Sequence, residues 1–172
     1  MGLVAGREAP LFNRSSLADF DLWAPPLDGG KPLPLVTGPA QEGWGHFSPD
    51  CRWAAYISNE SGRWQAYATQ FPAGRGKWQL TSDTEGAYWV VDWANGGKDL
   101  VPITTGQMLS VLPLRLDRDS IEIGQRRRLM RSGGDRSWTV SADGSRFVIA
   151  ACQSGERDLP VTLVSDWLAG VK

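Results

Sequence analysis

The sequence is poor in the residues that usually carry catalysis. It has one histidine, His46, and two cysteines, Cys51 and Cys152. Neither cysteine belongs to a CxxC pair and nothing in their spacing brings them together, so neither a structural metal site nor a disulfide is expected. A Ser-His-Asp triad would have to use His46 with Ser48 or Ser58 and Asp50, and no Gly-x-Ser-x-Gly elbow supports one. Gly29-Gly30 and Gly96-Gly97 are not followed by a helix and so cannot cradle phosphate as a P-loop does. Asp117-Arg118-Asp119 is a charged turn without the glycine pattern of a calcium loop. No cofactor is expected.

Charge of one sign is missing as well. Eighteen Lys and Arg stand against nineteen Asp and Glu, a net charge of −1, which gives no electrostatic reason to expect nucleic acid or an anionic membrane. Arg126-Arg127-Arg128 is the one basic run; it reads as a solvated strand end or turn, with a local anion contact as the alternative. No apolar run approaches the ~20 residues that cross a bilayer. The segment Met1-Gly2-Leu3-Val4-Ala5-Gly6-Arg7 lacks the charged start and apolar core of a signal peptide, so a cytoplasmic location is expected if the chain is complete.

Helical periodicity is absent too: no window keeps apolar residues at i, i+3, i+4 and i+7 for three turns. In its place, 20 glycines and 11 prolines punctuate short runs rich in Val, Ile, Tyr, Trp and Thr, the composition of half-buried strands at regular spacing. Strands are expected at 9–13, 20–27 and 34–37, then ending at His46-Phe47, then at 53–58, 64–71 and 77–81. Further strands are expected at 88–93, 99–104, 107–114 and 125–130, and finally at 137–141, 146–152 and 161–167. Ser48, Ala94 and Ser141 occupy equivalent turn positions about 46 residues apart, a period that fits four-stranded blades of a β-propeller. Ala54, Leu100 and Phe147 align at one position of the second strand, with Tyr56, Pro102 and Ile149 two residues on, so one side of that strand is mostly apolar. Phe47, Trp93 and Trp138 would fill the space between neighbouring sheets, a structural use for part of the nine tryptophans.

These residues resemble the TolB-like β-propeller family, whose repeat runs from an aromatic through Ser-Pro-Asp-Gly to a short β run. Here the counterparts are Phe47-Ser48-Pro49-Asp50-Cys51, Trp93-Ala94-Asn95-Gly96-Gly97 and Val140-Ser141-Ala142-Asp143-Gly144. More narrowly, 21–30, 56–63 and 161–167 look like the C-terminal half of the propellers attached to some bacterial serine/threonine kinases and related sensors. Cys51 departs from the Gly of the repeat, and Asn95-Gly96 replaces its Pro and Asp with a pair that makes a similar bend. The resemblance implies a structural role for Asp50 and Asp143, accepting hydrogen bonds from turn amides.

The expected architecture is therefore all-β, one propeller-like domain over 1–172 with blade units at about 4–38, 39–82, 83–131 and 132–172. The first unit lacks its inner strand and the last stops after its third, giving three, four, four and three strands. A complete ring of this kind has more blades, and exposed blade faces call for a partner; a homodimer closing over the unfinished ends is expected. Family resemblance implies a non-catalytic module that binds a protein or peptide. The alternatives are a glycan-active or peptidase-associated propeller, or a remnant without selected activity. For ligand contact the candidates are His46, on an inner strand, and Trp44 and Trp89, which with Trp78 lie outside the repeated inner aromatic position. Glu42, Asp83, Glu85 and Asp92 are the carboxylates from which a glycosidase pair would have to come, and their spacing does not single one out.

Overall fold

The computed structural model describes residues 11–15, 20–26, 30–82, 84, 86–87, 89–131, 136–141, 143–151 and 161–165. Among these, the chain is built from antiparallel strands without an α-helix, in four sheets. The first sheet has the order β1 (Phe12–Ser15), β2 (Phe20–Ala24), β3 (Leu33–Val36), and the second β4 (Glu42–Phe47), β5 (Trp53–Ser58), β6 (Gln65–Gln70), β7 (Trp78–Gln79). The third runs β8 (Trp89–Ala94), β9 (Asp99–Ile103), β10 (Met108–Leu116), β11 (Ile121–Ile123), with β12 (Arg127–Arg131) also paired to β10. The fourth is β13 (Arg136–Val140), β14 (Arg146–Ala151), β15 (Val161–Ser165). This is the blade-by-blade arrangement of a partial β-propeller.

One count differs from expectation. The third sheet has five strands, because the nine-residue β10 holds β12 against Met108–Val111 and β11 against Leu114–Leu116. Ile121-Glu122-Ile123 alternates, but the run is too short to be read as a strand. β1 also begins later than the run at 9–13 suggests, and residues 9 and 10 lie outside the described ones. β7 is shorter than 77–81, reduced to Trp78 and Gln79.

Each sheet buries itself on the next. Leu11, Leu22, Ala24 and Leu35 of the first meet Ala54, Tyr56, Tyr67 and Phe71 of the second. Ala55, Ile57, Ala66 and Ala68 of the second meet Trp93, Leu100, Leu112 and Leu114 of the third. Ala94, Val101, Ile103 and Leu109 of the third meet Val140 and Phe147 of the fourth. Ala54, Leu100 and Phe147 thus all face the preceding sheet, as their alignment requires. All six residues of β5 and all five of β9 are buried, because both faces of these strands are covered. Phe47 and Phe71 meet edge to face at 4.5 Å, and Trp93, 2 % exposed, wedges between the second and third sheets. Only the backbone of Trp138 is described, so its expected packing role lies outside the described side chains. Trp78 stands edge-on to Trp53 at 5.0 Å against the core, which makes it a packing residue.

The repeated turns are built alike. The Ser48 hydroxyl donates to Asp50 Oδ1 at 2.6 Å and accepts the Trp53 N–H at 3.0 Å, while Asp50 Oδ1 accepts the Arg52 N–H at 3.1 Å. Ser141 repeats this, donating to Asp143 at 2.5 Å and accepting the Arg146 N–H at 3.0 Å, with the Ser145 N–H on Asp143 at 3.0 Å. A hydroxyl that donates and accepts at once frees the chain to reverse without an orphaned amide. The turn's fourth residue is left-handed in all three copies: Cys51 at φ 55°, Gly97 at 89° and Gly144 at 72°. Glycine has a second reason to be there. A Cβ on Gly97 would lie 3.1 Å from Pro49 Cδ, and one on Gly144 3.1 Å from the Asn95 nitrogen, so each turn nests on the turn of the blade before it.

Two measurements check this account. Gly144→Ala should lower stability by about 1–2 kcal/mol, the cost of a left-handed L-residue, whereas Cys51→Gly should be neutral or gain up to about 1 kcal/mol, both read from urea midpoints. The Ser141 hydroxyl first, then the Ser145 amide and hydroxyl, hold the Asp143 carboxyl down to about 2 from an ordinary 3.8. A carboxylate depressed on folding contributes stability present above its unfolded pKa and lost as pH falls through the folded one. Asp143→Asn should therefore flatten the acid limb of the stability profile between those two values.

Candidate functional site

β4 and β8 are the first strands of adjacent sheets and lie against one another. Each carries a bulge near its start. In β4, Gly43 pairs with Ile57 and His46 with Ala55, so Trp44 and Gly45 share the space opposite Tyr56. In β8, Val90 pairs with Pro102 and Asp92 with Val101, leaving Val91 as the extra residue. Such bulges turn side chains out of the normal alternation.

Packing explains the first bulge. A Cβ on Gly45 would come within 2.8 Å of Leu11 Cδ1 and Leu22 Cδ1, so the first sheet presses directly on this backbone. Trp44 takes the compensating left-handed conformation, φ 48°, rare and strained for a bulky residue. Its indole is turned outward, 41 % exposed. There it meets Trp89 at 4.9 Å with planes tilted 45° and Trp64 edge-on at 6.2 Å. Trp89 is also 41 % exposed. The Trp64 carbonyl accepts the Ala87 N–H at 2.8 Å, which ties the approach to β8 to the turn before β6. Three tryptophans from two blades thus cap one seam, at the ends of β4 and β8 away from the Ser48 turn.

Deeper along the same seam, His46 Nδ1 lies 4.0 Å from Asp92 Oδ1, and the His46 carbonyl accepts the Trp93 indole N–H at 2.9 Å. Asp92 also accepts the Trp93 amide at 2.7 Å. Both side chains keep part of their surface open, 39 % for His46 and 38 % for Asp92. Burial lowers the His46 pKa below 6.5, and the Asp92 charge only partly opposes this, so the ring is neutral at pH 7.

The structure brings His46, Trp44 and Trp89 to one seam, and adds Trp64 and Asp92. Trp89 follows Trp44 by one residue less than a repeat, a spacing that marks the pair in sequence; nothing marks Trp64 as their neighbour before the meander is folded. The hydroxyls of Ser48 and Ser58 are engaged elsewhere, Ser48 in its turn and Ser58 on Glu42 at 3.2 Å. Glu42 is 2 % exposed, and burial raises its pKa against the Ser58 hydrogen bond. It lines a separate cleft of about 340 Å³ between the first two sheets, at whose rim Lys77 pairs with Glu60. Asp83 and Glu85 lie outside the described residues. Among the described residues no three His, Cys, Asp or Glu side chains cluster as metal ligands, and no helix is long and apolar enough to cross a membrane.

Because the sequence holds one histidine, its titration is directly visible by proton NMR. The midpoint should fall below 6.5, and Asp92→Asn should move it lower still. The neutral ring favours the folded state, so this contribution is lost as pH falls below 6.5. A midpoint at or above 6.5 would contradict the packing described.

No protein-family model matches this sequence, and no curated protein does. Among solved structures, one described as TolB from Agrobacterium tumefaciens superposes with a TM-score of 0.61 at 18 % identity, covering 88 % of this chain and 55 % of that one. TolB from Acinetobacter baumannii gives a TM-score of 0.46 at 17 % identity, covering 86 % and 46 %. The chain thus spans about half the length of these structures. The Agrobacterium likeness establishes the fold: a TolB-like β-propeller, present here in part.

Proposed function

We propose that this TolB-like propeller chain is a non-catalytic binding module whose Trp44–Trp64–Trp89 seam takes a protein or peptide segment. The observation that carries this reading is the Trp44–Trp89 pair: two indoles from different blades, each 41 % exposed, in contact around a left-handed backbone. Strain of that kind persists only where surrounding structure imposes it, and it clusters at binding sites. Exposed tryptophans supply large, rigid contact area and dominate many interfaces. The likeness in fold to TolB structures supports a binding module by analogy only.

Self-association is the second part of the proposal. Among the described residues, the first and last sheets pack chiefly on one neighbouring sheet each. On the first, register puts Asp21 and Trp23 opposite the buried Leu22 and Ala24. A second copy of the chain covering this sheet would remove the exposed Phe20 and the remaining open surface of the half-buried Trp23 from water.

Selection of peptides from a random display library against the whole chain, followed by affinity measurement, tests the first part. Trp44→Ala and Trp89→Ala should each weaken the selected peptides by about tenfold or more, with unchanged unfolding cooperativity. Peptides that bind equally well to both variants would place the contact elsewhere. Trp44→Gly should be more stable than Trp44→Ala by about 1 kcal/mol, since only glycine escapes the left-handed penalty; equal stabilities would remove the strain from the account. For the second part, sedimentation should give twice 18.8 kDa at micromolar concentration and a monomer for Trp23→Arg. A monomeric parent protein would refute it.

A further inference from the structure

We infer that the tryptophan seam selects a cationic side chain, lysine or arginine, on its protein or peptide partner. This rests on reading the seam as the binding surface and adds the chemistry of what enters it. Indole faces attract cations through the ring quadrupole, tryptophan most strongly of the aromatic residues. Among the described residues, the ring contacts of Trp44, Trp64 and Trp89 are with one another, so the outer faces of Trp44 and Trp89 are not stacked on a further ring.

The carboxylate between β4 and β8 is Asp92. Trp89 and Asp92 of β8 both reach β4, Trp89 meeting Trp44 at 4.9 Å between ring centroids and Asp92 Oδ1 lying 4.0 Å from His46 Nδ1. The Asp92 carboxylate is part open, and the group beside it, His46, is neutral at pH 7. Neither β4, Glu-Gly-Trp-Gly-His-Phe, nor β8, Trp-Val-Val-Asp-Trp-Ala, contains a lysine or arginine. An aromatic pair with a carboxylate on the same seam is complementary to a long apolar stem ending in a positive charge: the stem lies on the rings and the head reaches the carboxylate. An acidic partner would meet repulsion there, and a purely apolar one would leave Asp92 beside it without compensation.

Indole N–H signals of the whole ¹⁵N-labelled chain, assigned with Trp44→Phe and Trp89→Phe, provide the readout. The probes are the Nα-acetyl amides of lysine, arginine, norleucine and glutamate. Lysine and arginine should shift the Trp44 and Trp89 signals at concentrations about tenfold below norleucine, with glutamate weakest. Asp92→Asn should reduce that preference, and 0.5 M salt should weaken the lysine probe while leaving norleucine unchanged, a second measurement should the variant not fold. Equal effects of lysine and norleucine, or a preference for glutamate, overturn the cation inference and leave the seam as a binding surface. Silence of both signals to every probe overturns the inference, and the display selection then decides the surface separately. Arg63 directly precedes Trp64 in the chain. If the lysine probe binds only in Arg63→Ala, the chain's own arginine is the cation and an external partner is refuted.

Discussion

The part-buried hydrogen bond from the Trp93 indole to the His46 carbonyl, between the second and third sheets, helps fix how two blades sit together. Trp93 is nearly inaccessible, so its N–H would cost stability without an acceptor. The backbone of β4 supplies that acceptor one step after its bulge. Once His46 is fixed, the direction of Trp44 follows, and with it the contact between Trp44 and Trp89. The open surface of the seam is therefore a by-product of how its buried part is satisfied.

Pressure from the other side completes this. Leu11 and Leu22 approach Gly45 so closely that no side chain fits, and the strand relieves the crowding by bulging. The second sheet is thus shaped by both neighbours at one short stretch. The first sheet drives Trp44 outward, and the third supplies Trp89 to meet it.

Much of this was legible in sequence, for physical reasons. Alternation at Ala54, Leu100 and Phe147 is a two-residue signal that survives whenever one side of a strand faces another blade. The Ser48 and Ser141 turns declare themselves because few residues can bond a turn amide and a carboxylate together. Trp44, His46 and Trp89 stood out by composition and spacing. The bulges did not, since an extra residue in a strand leaves the local pattern of apolar residues ambiguous; Gly45 was the trace of one. Trp64 and Asp92 became partners of the seam only through long-range register, which no local window contains. Ile121–Ile123 escaped because its pairing depends on the unusual length of β10.

The nested turns have a geometric meaning beyond local stability. A side chain on Gly97 would crowd Pro49 and one on Gly144 would crowd Asn95, so the absence of a side chain lets successive turns approach at that rim while the cores between the sheets hold the rest. The residue at this position works as a shim. With glycine the blades converge at the rim; a larger side chain would splay them and change the angle through which each blade rotates from the last. The second sheet carries Cys51 at this position and the third and fourth carry glycine, so the room for a side chain at the rim differs from one blade to the next.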